Sequence, residues 1–406
     1  MKSSLYILFF IFILFFAQNV MNLFGIDAKY MYAIYLVVAM CFIITNKNCI
    51  ARRNKRAGIL ILITAAIGLL KMRLDASAGS RLTALNLMSA PIIFGCFPSL
   101  SSSPRFWNKA FKIIIVFFVV ECSLALFERV TMINIFPWSS GDTTSNMIMM
   151  DSDEDVSNFR SFGLLGHPLQ NALPVCTMMA FILCSAKMKA KDKALLWLLG
   201  YVAILCFNTR GSIVGAAMIL GAYVLYQYFT NKHLSFAKKN FALFGIIIGA
   251  VGLFFVIMNF NLGGRLTEMG LFDEGSAQVR VNTWNIFNYF KLSDFLFGMN
   301  SNQRTMVLYS SGIWTTENFW IDYLMSIGLI ALVLVIIAYF FTIKKLYHGY
   351  KKMDVVITLA SFILIASTNN SLSASWTPLF IYLMTIYIYA FKEDIPYSYK
   401  RIIINK

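Results

Sequence analysis

An arginine set between two apolar stretches is the first residue of this chain that invites a chemical explanation. Arg210 lies in Asn208-Thr209-Arg210-Gly211-Ser212, flanked on both sides by apolar sequence. An arginine at membrane depth costs about 2.5–3.5 kcal/mol on insertion scales and is by default a functional-site candidate. Its planar, permanently charged fork suits a phosphate group. The competing reading is an arginine that snorkels to the interface or pairs structurally with a carboxylate. Arg280 precedes Trp284 by one helical turn, so the two share a face and the guanidinium can stack on the indole. A lone loop arginine is otherwise simply solvated. Glu317 opens a long apolar segment, where the helix dipole favours a carboxylate, available but weak as a base. Arg160 and His167 belong to Arg160-Ser161-Phe162-Gly163-Leu164-Leu165-Gly166-His167-Pro168. Pro168 fits the first turn of a helix and puts His167 at its N-terminal end, where a structural role competes with a chemical one. Arg265, Lys291 and Arg304 fall after the ninth apolar run with no distinguishing context, and Glu121 sits inside an apolar run, where a buried polar contact is one reading.

These residues must be positioned by helices in lipid. Of 406 residues, 59% are hydrophobic and 13% charged, far from the roughly 25% charged residues of a soluble domain. Apolar runs recur along the whole length and predict an all-α, polytopic membrane helical bundle of about twelve transmembrane helices, one membrane domain over 1–406. The expected spans are 5–24, 29–46, 57–71, 82–100, 111–130, 166–186, 194–209, 211–229, 241–260, 317–343, 355–368 and 377–391. The first is too long for a signal-peptide apolar region and reads as a retained span. No polar loop divides 194–229, yet one helix of that length would be roughly 54 Å long against a hydrocarbon core of about 30 Å. Two helices turning at 208–211 fit better, with Gly211 expected to supply the backbone freedom.

Charge sets the orientation. With the N-terminus inside, about two thirds of the 35 basic residues fall in cytoplasmic segments, among them Arg52, Arg53, Lys187, Lys239 and Lys344, while the acidic residues concentrate outside. Both termini are then cytoplasmic. The net charge of +16 reports this topology and implies no nucleic-acid partner. Two long outer loops result, 131–165 and 261–316, the second carrying a short amphipathic helix from 275 to 290 with Trp284, Phe287 and Phe290 near one face. Trp138, Trp284, Trp314, Trp320 and Trp376 fall in or beside outer segments, as an interfacial aromatic belt would. Cysteine and histidine spacing indicates neither a disulfide framework nor a zinc cluster.

In their order, several short segments resemble the bacterial O-antigen polymerase and O-antigen ligase superfamily. They are Arg160-Ser161-Phe162-Gly163 with Gly166-His167-Pro168, then Asn208-Thr209-Arg210-Gly211-Ser212, then Arg280 ahead of Trp284 leading to Phe297-Gly298-Met299-Asn300. Glu317-Asn318-Phe319-Trp320 running into Ser326-Ile327-Gly328-Leu329 completes the set. The match covers roughly 155–345, and each motif is short. The resemblance implies a GT-C-like glycosyltransferase of the bacterial inner membrane. It would act at the periplasmic face on an undecaprenyl-pyrophosphate-linked oligosaccharide, without a metal or other cofactor, with a chain-length regulator as a further partner. Arg210 and Arg280 match the family arginines thought to hold the donor pyrophosphate, and Glu317 would orient or deprotonate the attacking hydroxyl. Arg160, His167, Trp284, Asn318 and Arg265 are the expected substrate contacts. The ligase branch usually carries His where this chain has Glu317, which tilts the expectation to a polymerase joining repeat units. A ligase delivering glycan to a lipid or protein acceptor is the alternative, and a lipid-linked glycan transporter the more distant one.

Overall fold

The computed structural model describes residues 2–17, 20–21, 24–26, 28–98, 104–136, 159–185, 188–230, 240 and 282–392. Among these the protein is all-α, with one isolated bridge between Cys49 and Pro98. The first half comprises α1 (Lys2–Phe15), α2 (Ala28–Thr45), α3 (Ile50–Arg53), α4 (Lys55–Leu74), α5 (Ala78–Gly95) and α6 (Pro104–Thr131). It continues with α7 (Pro168–Cys184), α8 (Ala190–Phe207) and α9 (Arg210–Thr230). After a single 3-10 turn (Ile286–Tyr289) come α10 (Leu292–Phe297), α11 (Ser301–Ser310), α12 (Phe319–Leu346), α13 (Lys352–Ser367), α14 (Ser371–Ala374) and α15 (Thr377–Lys392).

The helices over Lys55–Leu74, Phe106–Thr131, Arg210–Thr230 and Phe319–Leu346 are long and apolar enough to cross a membrane, and shorter apolar helices accompany them. The protein is an all-α, multi-pass membrane-type bundle. Leu62, Leu69, Phe229 and Phe340 project outward from these long helices, as lipid-facing side chains do. Inside, an aromatic core ties the first and last helices together: Phe10 and Phe97 both pack on Phe380, and Trp107 meets Tyr387 edge-on at 4.5 Å between ring centroids. Helices lie over every expected span except 241–260, which falls outside the described residues. Two expectations are corrected. The first helix ends at Phe15, well before residue 24. Trp376 does not project from the bundle as a belt tryptophan would: it is buried among Tyr32, Tyr35 and Phe380.

The segment 282–316 is more than one amphipathic helix. Its 3-10 turn, α10 and α11 pack on α12, and Ile286, at 0% exposed, anchors a small core with Met299, Val307, Ile321 and Met325. Trp284 stays outside it at 66% exposed, its ring 5.9 Å from that of Phe287. Polar clasps fasten the same segment. Asp75, just past the end of α4, accepts from Ser80 Oγ, Ser77 N and Ser301 N. Burial pushes its carboxyl up, but these bonds outweigh that and hold it well below the usual carboxylate range. Lys71 Nζ donates to Met299 O, and Arg304 pairs with Asp322 and donates to Ser326 Oγ.

Two quoted motifs meet at this junction. Met299 N donates to Met325 O at 2.7 Å, so the Phe297–Asn300 segment lies against Ser326–Leu329. Gly298 (φ 83°, ψ 170°) and Gly328 (φ 76°, ψ 167°) both adopt a conformation essentially restricted to glycine, and Gly328 breaks the helical path of α12. A Cβ on Gly298 would stand 2.8 Å from Gly328 N and Ser326 O, backbone atoms that cannot step aside. Gly298→Ala is therefore expected to lower stability by about 3 kcal/mol or more, strain and overpacking acting together. Thermal unfolding of the purified protein in detergent checks this, and an unchanged midpoint would show that the two backbones do not touch.

Candidate functional site

The site is built on the junction of α8 and α9. Asn208 closes α8 in the left-handed conformation (φ 53°, ψ 47°), and α9 begins at Arg210. The expected turn exists, but Asn208 makes it, a residue type tolerated at positive φ. Gly211 lies inside α9 and serves close approach instead: a Cβ there would meet Thr368 Oγ1 at 2.7 Å, so its absence seats α9 against the end of α13.

The loop before α7 is pinned to that junction. Ser161 N donates to Cys206 O (3.1 Å), Asn208 Nδ2 to Phe159 O (3.4 Å) and Arg160 Nε to Phe207 O (3.3 Å). From the other side, two carboxylates of α6 gather the loop's backbone. Glu128 Oε2 accepts from Phe162 N (2.7 Å) and Gly163 N (3.0 Å), while Glu128 Oε1 accepts from Ile135 N (3.1 Å). Glu121 Oε2 accepts from Leu164 N at 3.0 Å. Both carboxylates are fully buried and lie two helical turns apart on one face of α6. Gly163, at φ +55°, lets the chain curl over them: a Cβ there would collide with Glu121 Oε1. His167 caps α7, its Nδ1 accepting from Leu169 N at 3.2 Å, with Pro168 at the first helical position.

The third contributor is the start of α12. Asn318 is the cap, its Oδ1 accepting from Trp320 N (2.9 Å) and Ile321 N (3.4 Å). Glu317 therefore stands one residue before the cap, outside the first turn in which the sequence places it. The polar run 367–371 secures this end: Phe319 N donates to Asn369 O (3.1 Å), Trp320 Nε1 to Ser367 Oγ (2.9 Å) and Ser371 Oγ to Leu169 O (3.0 Å).

The result is an open cleft lined by Arg160, Arg210 and Glu317, with Asn208, Thr209, Ser212, Thr368 and Asn369 among its other walls. Three segments far apart in sequence thus bring two guanidinium-bearing residues and one carboxylate-bearing residue to one place. Such a set can grip an anion and, beside it, orient a hydroxyl or take its proton. His167 and Asn318 act as caps next to lining residues. Arg265 and Arg280 lie outside the described residues. Glu128, Thr368 and Asn369 were not anticipated; the Ser-Thr-Asn-Asn run between two apolar segments was the available signal for the last two. No protein-family model matches the chain, and no curated protein matches it.

Proposed function

We propose that the protein is a polysaccharide polymerase, a GT-C-like glycosyltransferase of about twelve transmembrane helices in a bacterial inner membrane. It would join polyprenyl-pyrophosphate-linked repeat units at the periplasmic face. The observation that carries this reading is the convergence of Arg160, Arg210 and Glu317 on one cleft. That cleft sits at the bundle end which the Lys/Arg bias assigns to the outside. A hydroxyl of one lipid-linked repeat attacks the anomeric carbon of a chain held on the diphosphate. The new C–O bond forms as the bond to the diphosphate oxygen breaks, and the lipid diphosphate leaves with the electron pair. Glu317 orients the hydroxyl and receives its proton. Arg210 and Arg160 meet the charge that builds on the leaving group, together with Arg280 by its resemblance to the family's second arginine.

Membranes containing the protein, supplied with a defined polyprenyl-diphosphate repeat unit, are expected to yield a ladder of longer lipid-linked glycans and free polyprenyl diphosphate. A deletion strain is expected to retain single-repeat product on the final acceptor. A bare acceptor in that strain would identify a ligase instead, and translocation with no new glycosidic bond would identify a transporter.

A further inference from the structure

Two anchors flank Glu317. On one side Asn318 caps α12, and the residue after it is tied across to the polar run, Phe319 N donating to Asn369 O at 3.1 Å. On the other side Thr316 is 0% exposed, and its Oγ1 donates to Asp322 Oδ1 at 3.0 Å. An acidic residue in a first helical turn ordinarily faces solvent, where the helix dipole favours it. Asp322 instead is buried, and its Oδ1 accepts from Thr316 and from the Arg304 guanidinium together. Side chains on an α-helix tilt toward its N-terminus, which is how a carboxylate at 322 reaches a residue that precedes the helix.

Arg304 is itself held in place. It belongs to α11, whose start is fastened by Asp75 Oδ2 accepting from Ser301 N, and Arg304 Nη1 also donates to Ser326 Oγ at 3.2 Å. A route of bonds therefore runs from the end of α4, through α11, to the residue beside Glu317. A hydroxyl bonded to a carboxylate that is paired with arginine is held more firmly than one bonded to a neutral acceptor. We infer that Asp322 and Thr316, backed by Arg304, are positioning residues that set where Glu317 stands in the cleft. Neither Thr316 nor Asp322 is among the residues that line the cleft, so both act through Glu317. What that position serves rests on the reading of Glu317 as the group that orients the hydroxyl and receives its proton.

Thr316→Val is the variant to test. It removes the hydroxyl and leaves Asp322 paired with Arg304, whereas Asp322→Ala would strand the arginine. With a defined polyprenyl-diphosphate repeat unit, at a temperature where every variant is folded, it should lower kcat about tenfold with KM little changed. That is less than the roughly 100-fold which an ångström of misplacement can cost. Thr316→Ser should recover the rate. In a Glu317→Gln background, itself slow, Thr316→Val should cost nothing further, because the group it positions is gone. The same loss in that background would show that the hydroxyl serves the fold at large, and overturns the inference. A second readout needs no turnover. In purified full-length Glu317→Cys protein in detergent, with the parent protein's own thiols subtracted, Thr316→Val should let a maleimide react severalfold faster at position 317. Thr316→Ser should return the rate to its starting value. A labelling rate that does not rise overturns the inference. If labelling rises in a protein that joins no repeats, or in which Glu317→Gln costs nothing, the anchor stands and the role given to Glu317 falls.

Discussion

Arg210→Ala is expected to lower polymerisation by on the order of 100-fold or more, the effect of deleting one pre-placed charge-stabilising donor. The loss should fall on kcat as well as KM, since in the proposed reaction the charge it meets grows as the bond to the diphosphate breaks. Arg210→Lys should recover only part of the rate: an ammonium keeps the charge but loses the planar fork that contacts two oxygens at once. The residue's position supports a chemical role over snorkelling. It is the first residue of α9, it shares a cleft with Arg160 and Glu317, and its neighbours Thr209 and Ser212 are buried. Measured against defined lipid-linked repeats at equal protein level and equal melting temperature, wild-type turnover by Arg210→Ala would remove the arginine from the site. Wild-type turnover from an Arg210→Ala, Arg280→Ala double variant would dismiss the diphosphate grip altogether.

Much of this arrangement could be read from residue order, because membrane helices announce themselves by length. The break at 208–211 followed from the impossibility of fitting residues 194–229 across one bilayer, and the helices do end and begin there. Which residue turns the chain did not follow: glycine is the usual supplier of positive φ, but Asn208 takes it, while Gly211 is required by Thr368, from a segment with no visible link to it. The placement of Glu317 was off by the width of a cap, since only the Asn318 side chain decides where α12 starts. The deepest omission was Glu128. Written beside Arg129 near the end of an apolar run, it looks like an ordinary interfacial charge. Its partners are backbone groups 34 and 35 residues later, and backbone N–H groups leave no mark in a sequence. Arg304 was equally mute until its pairing with Asp322 and Ser326 placed it in the clasp on α12.

Glu128→Ala should therefore be among the most damaging single substitutions in the protein, although Glu128 is not among the residues that line the cleft. Three backbone donors, on Phe162, Gly163 and Ile135, converge on its two oxygens. Alanine leaves all three without an acceptor, at about 1–3 kcal/mol for each buried group, so a loss of several kcal/mol is expected. Part of that is recoverable by letting the loop detach from α6. Detachment would free the chain on which Arg160 sits, and would pull against its bonds to the end of α8. The protein should thus show a lowered melting temperature and, at a temperature where it remains folded, a turnover deficit like that of Arg160→Ala. Glu128→Gln makes the sharper comparison. A glutamine oxygen can still accept from Phe162 and Gly163, but its amide would then present N–H groups to Ile135 N–H, donor against donor. It should melt between wild type and alanine and recover most of the activity, because the contacts that hold the Arg160 loop are those it keeps. If Glu128→Ala melts and turns over like the wild type, the loop is held by something other than this carboxylate. If glutamine fails as badly as alanine, the contact to Ile135 governs the fold, and the route from α6 to Arg160 is wrong.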